Sequence, residues 1–191
     1  MPEQDSVGDP IPPDCEVIEV HVAELKQLFN EIDPSPFRER DLDADAEEFI
    51  VGWAKDAPRK ARLALLVHVG QLPDGADAPA ILRNAVREFF GHRAEASRRR
   101  VRQLFRIGRT SLLIGIAILA LCLLAGDLLA TALRGRRVGE LLREGFLIGG
   151  WVAMWRPMEI FFYDWWPIRA EGKLFDRLTA MPVRIVYDRG A

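Results

Sequence analysis

Arg156, Glu159 and Asp164 are the residues whose placement most invites chemistry. The first two interrupt an apolar stretch of bilayer length, Gly145–Phe162 (GFLIGGWVAMWRPMEIFF), and the third follows directly after it. Arg156 and Glu159 stand three apart, so they are neighbours on a helix. Charges at membrane depth are costly and are usually paired or functional. One chemistry open to them is a proton or ion path, with Glu159 titrating beside Arg156 and Asp164. The plainer alternative is structural. Both charges fall in the last two turns of the stretch, where an arginine snorkels to the headgroups and the pair braces Pro157, whose ring frees a carbonyl one turn earlier.

Three further patterns carry physical meaning. Gly145, Gly149 and Ala153 recur every fourth residue, a small-residue ridge that lets helices approach closely, either within the chain or between copies. Arg98, Arg99, Arg100, Arg102, Arg106 and Arg109 precede an apolar run, and attraction to anionic lipid headgroups accounts for them with fewer assumptions than nucleic-acid binding. Phe37, Arg38, Glu39, Arg40 and Asp41 alternate charge around one aromatic in a proline-flanked segment, a loop suited to docking a protein partner.

Other chemistries lack support. Asp41, Asp43 and Asp45 start like a calcium loop, but Ala46 stands where the required glycine belongs and Gly52 where the closing glutamate belongs. His21, His68 and His92 have no metal-ligand spacing, and Cys15 and Cys122 offer no disulfide framework. No phosphate-binding loop, nucleophile elbow or metalloprotease motif occurs. The expectation is a non-enzyme with no cofactor, no metal and no nucleic-acid partner.

The elements that must position these residues follow from patterning. The decisive one is Ser111–Ala132, SLLIGIAILALCLLAGDLLATA, whose single charge is Asp127. About 20 apolar residues at ~1.5 Å rise cross a hydrocarbon core. Charge is strongly segregated around it: residues 1–60 hold sixteen acids against six Lys/Arg, and residues 83–109 hold nine Arg against two Glu, although the net charge is -2. Residues 1–15, acidic and proline-rich, read as a disordered tail. Val17–Val22, Leu63–Val69 and Val183–Tyr187 alternate as strands. Helical spacing predicts a short helix over 22–32. A second is predicted over 46–57, with Ala46, Phe49, Ile50, Trp53, Ala54 and Ala57 on one stripe and Asp45 and Glu48 at capping-box spacing. A third starts near Pro79 and runs into the arginine segment. Lys173–Ala180 is a last helical candidate, and Pro167 is expected to end the second span or start a turn.

The resulting division is a tail (1–15), an α+β domain (16–90), a basic juxtamembrane helix (91–110), a first span (111–132), a loop (133–144), a second span (145–166) and a C-terminal segment that completes the sheet (167–191). Seven Arg and one Glu in 91–109, against four Arg and three acids in 127–144, place both termini in the cytoplasm of a cell (inner) membrane. A final strand that needs the first two as partners requires the same.

The strings Pro36–Asp43 (PFRERDLD), Glu47–Ile50 (EEFI), Gly150–Pro157 (GWVAMWRP) and Tyr163–Pro167 (YDWWP) resemble a group of uncharacterised bacterial two-span membrane proteins, over about residues 16–187. That resemblance implies a membrane protein and no particular activity. The fold class expected is α+β, a small three-stranded sheet with amphipathic helices on a two-helix transmembrane hairpin. The expected role is a membrane-anchored interaction or assembly protein that contacts the lipid bilayer and either a protein partner or further copies of itself. A homo-oligomeric channel or proton-conducting unit is the alternative.

Overall fold

A computed structural model describes residues 6–29, 42–70, 78–133 and 137–187. The elements are β1 (Ser6–Gly8), β2 (Cys15–Val22), a 3-10 turn (Leu25–Leu28), α1 (Ala44–Asp56), β3 (Arg62–Val69), α2 (Ala78–Ala132), α3 (Arg137–Glu159), a π-turn (Ile160–Asp164), α4 (Trp165–Thr179) and β4 (Val183–Tyr187). They form two compact units. One holds residues 1–96 and 171–191, the other residues 97–170. Both α2 and α4 belong partly to each.

The first unit is an α+β layer. Its sheet has four strands in the order β1-β4-β3-β2, not three. β2 pairs parallel to β3 and β3 parallel to β4, while β1 closes the edge antiparallel to β4. Successive strand residues face opposite sides, and one side carries Ile18, Leu63, Leu65, Val67, Val69, Val183 and Ile185, all buried. Against them pack Ile50 and Ala54 of α1, Leu82, Val86 and Phe90 of α2, and Phe175 and Leu178 of α4. Phe90 and Phe175 stack with ring centroids 6.2 Å apart. Arg177 ties α4 to the turn before β3 by donating to the Ala61 carbonyl at 2.7 Å and to that of Pro58 at 3.1 Å.

Ser6–Gly8, expected in a disordered tail, is a strand. Gly8 has φ 136°, and a Cβ there would lie 2.6 Å from the Val183 carbonyl, so only glycine fits against β4. Asp9 holds the segment further, its amide donating to the Val183 carbonyl at 3.0 Å and its carboxylate accepting from Arg83 at 2.7 Å. Of the helix expected over 22–32, the described part holds the single turn Leu25–Leu28, after which Phe29 bridges Leu42, while positions 30–32 lie outside the described residues. Gln27 Oε1 accepts from the amides of Ala23 and Glu24 and holds the chain at that turn. The cap of α1 is Asp43, which accepts from the Asp45 amide at 3.0 Å, in place of the Asp45–Glu48 box. Phe49 and Trp53 are also not in the core. Ile50, Ala54 and Ala57 take the buried stripe of α1 and leave the two aromatics 48% and 42% exposed.

The second unit is a helical hairpin. α2 runs unbroken through the arginine segment and the apolar run, and among the described residues it is the one helix long and apolar enough to cross a membrane. The two-span expectation therefore holds only in part. Gly145–Phe162 is divided between α3 and the π-turn and carries Arg156 and Glu159. Pro167 does not stop the chain either. It lies within a helical stretch that continues from the π-turn into α4 without a break.

Candidate functional site

The charged cluster of the second unit is built around a proline. Pro157 lies inside α3 and cannot donate to the carbonyl four residues back, that of Ala153. That carbonyl is met from α2: a Cβ on Gly115 would stand 3.1 Å from the Ala153 oxygen and 3.5 Å from the Pro157 ring. A side chain at position 115 would be tight there, where the orphaned acceptor faces the neighbouring helix. Three residues further on the helix loosens into the π-turn, whose hydrogen bonds reach five residues instead of four. The wider turn rotates Asp164 back toward the side occupied by Arg156. Arg156 then donates to Glu159 at 2.9 Å and lies 3.3 Å from Asp164. One guanidinium bridges two carboxylates, and all three side chains remain partly exposed. In water such pairs contribute little; in a medium of low dielectric the same geometry is far stronger.

A second pair lies toward the other end of the hairpin. Asp127, the single charge of the apolar run, accepts from Arg143 Nε at 2.9 Å. Periodicity along one helix does not reveal this partner, since the pairing joins two helices.

The small-residue ridge divides. A Cβ on Gly145 or Gly149 would meet nothing within 4 Å, so neither packs against α2. The close seam uses Gly150, whose Cβ would lie 2.6 Å from Leu119 and 3.3 Å from Cys122. Gly126, against Arg143 and Phe146, and Gly139, against Ala130 and Leu133, continue it. Regular spacing picks out Gly145 and Gly149, but the antiparallel approach of α2 brings the neighbouring Gly150 into contact.

Arg98, Arg99, Arg100, Arg102, Arg106 and Arg109 are all exposed on α2. Arg98 and Arg99 have interactions elsewhere. Aromatic rings accompany the stripe: Phe105 lies 6.0 Å from Phe161 and 6.4 Å from Trp165, and Trp165 lies 6.2 Å from Trp166. The partner-docking residues Phe37, Arg38, Glu39, Arg40 and Asp41 lie outside the described residues.

In the first unit, strand register sets His21 beside His68 on the side of the sheet opposite the core, their rings parallel with centroids 4.2 Å apart. Cys15 and Cys122 are free thiols in different units. Among the described residues no group of three or more His, Cys, Asp or Glu could hold a metal ion. No protein-family model, curated protein or solved structure matches the chain.

Proposed function

We propose that the protein is a two-span membrane protein whose α+β unit is a non-enzymatic interaction module that recruits or scaffolds a protein partner at the cell (inner) membrane. The observation that carries this reading is the pair Phe49 and Trp53, exposed at i, i+4 on α1 of a unit that already has a complete core. Aromatic residues are enriched at protein interfaces, and two on adjacent turns present one apolar strip to a partner. The expected docking surface thereby extends from the segment ending at Asp41 onto the helix that follows it.

The topology half of the proposal rests on chain order. The first unit takes its strands from both ends of the chain, and the hairpin lies between β3 and β4. A hairpin that crosses the bilayer twice returns the chain to the side it left, with both termini cytoplasmic. Its surface suits lipid: Leu113, Leu121, Leu128, Trp151, Val152 and Trp155 all point outward.

The test is a Phe49→Ser/Trp53→Ser double variant of the full chain, cross-linked in its native membrane. The expected result is loss of a defined cross-linked partner with unchanged circular dichroism. A retained cross-link overturns the docking surface. Reporter fusions at the two termini should both report the cytoplasm, and opposite sides would overturn the two-span reading.

One observation favours a homo-oligomeric channel or proton-conducting unit, namely that Gly145 and Gly149 face open space on the helix that also carries Arg156 and Glu159. On that reading Gly149→Leu disrupts assembly and Glu159→Gln changes conductance in liposomes. A monomeric, electrically silent protein excludes it.

A further inference from the structure

The rungs of the hairpin set a register. Gly108 of α2 meets Ile160 and Phe161. One turn earlier Phe105 meets Phe161 and Trp165. Continued by one more turn, the same antiparallel ladder brings Arg102, three before Phe105, level with Arg169, four after Trp165. Arg169 is fixed independently, its guanidinium carbon lying 5.6 Å from the centroid of the Trp165 ring. Extended in this way, the register puts one arginine from each arm of the hairpin at one level, a turn beyond the Phe105–Trp165 contact. Arg106 and Arg109 continue the cationic stripe along α2. Arg102, Arg106, Arg109 and Arg169 are exposed and have no ion-pair partner among the described residues. The neighbouring carboxylate of Asp164 is engaged by Arg156.

We propose that Arg102 and Arg169 are the two sides of a cationic notch that binds the phosphate of an anionic phospholipid. Two like charges at one level of the hairpin repel, and an anion bound by both removes that cost. A guanidinium resting on an indole keeps its N–H edge free, and that edge matches two phosphate oxygens at once. The lipid source follows from depth. Trp165 and Trp166 belong to the residue types that settle at headgroup level, and the apolar run begins within three turns of Arg102 on the same helix. This inference rests on the reading that the hairpin crosses a bilayer.

Native mass spectrometry of the full chain in detergent, titrated with phosphatidylglycerol, phosphatidylcholine or inorganic phosphate, tests it. Phosphatidylglycerol should bind more tightly than phosphatidylcholine. Arg102→Gln/Arg169→Gln should weaken that binding about tenfold or more, as expected for losing two charge-assisted hydrogen bonds. Arg102→Lys/Arg169→Lys should keep most of it, and Arg137→Gln, at the opposite end of the hairpin, should change nothing. Equal affinity for the two lipids, an unaffected Gln double variant, or competition by inorganic phosphate at the lipid's own concentration overturns the proposal. Flotation with phosphatidylcholine vesicles separates the two levels. A protein that floats but fails the titration loses only the notch, whereas one that never floats loses the membrane reading and the notch together.

Discussion

The two units use the same kinds of apolar residue in opposite ways. In the α+β unit, Leu178 and Ile185 are fully buried between sheet and helices, and glycine enters where β1 meets β4. In the hairpin, Leu113 is 70% exposed and points outward, while the inner seam is lined by Gly115, Gly126, Gly139 and Gly150. A water-soluble core draws stability from removing leucine from solvent. On the proposed two-span reading, a hairpin in lipid would gain nothing that way, and close approach of backbones would supply the contact instead.

The sharpest break of this contrast is a matched pair of truncations. Leu178→Ala should cost about 2–5 kcal/mol through the cavity it leaves, whereas Leu113→Ala should cost well under about 1 kcal/mol in detergent. Urea denaturation of the full chain, followed by near-ultraviolet circular dichroism, measures both. Equal costs would mean that Leu113 is covered in the folded protein.

Cysteine scanning sharpens the seam itself. In a Cys15→Ser background, oxidation of Gly150→Cys should give an intramolecular disulfide with Cys122, since the Cβ placed there stands 3.3 Å from the Cys122 Cβ. Gly149→Cys should give none, and a disulfide between chains from that variant would support self-association. Gel mobility without reductant reads both.

The smallest effect is on pH dependence in the α+β unit. Burial raises the Tyr187 phenol above its ordinary value of 10.0. The fold favours the neutral form, so its contribution is intact below pH 10.0 and is lost as pH rises through the raised value. Tyr187→Phe should flatten that alkaline fall in the unfolding midpoint, and an unchanged slope would assign it to other groups.

Regular alternation made β2, β3 and β4 readable, because each has one face against the core and the pattern survives in a single strand. β1 was not readable, since three residues carry no period and its identity depends on Gly8 fitting beneath a distant carbonyl. The same logic separates the sites. Arg156 and Glu159 are visible by their spacing on one helix. Asp164 is grouped with them by sequence proximity, its contact with Arg156 comes through the π-turn, and Asp127–Arg143 forms because two helices meet. On α1, hydrophobicity alone assigned Phe49 and Trp53 to the core, although the helix could bury only one stripe, and Ile50, Ala54 and Ala57 took it.

The position of β4 between β1 and β3 has a consequence for the order of synthesis. A ribosome delivers β1, β2 and β3 first, then both arms of the hairpin, and β4 only after them. Until then β1 has no strand beside it and β3 lacks one neighbour. Closure of the sheet is therefore a late event that follows emergence of the entire hairpin. A nascent chain truncated within the hairpin leaves the sheet open along the edge meant for β4.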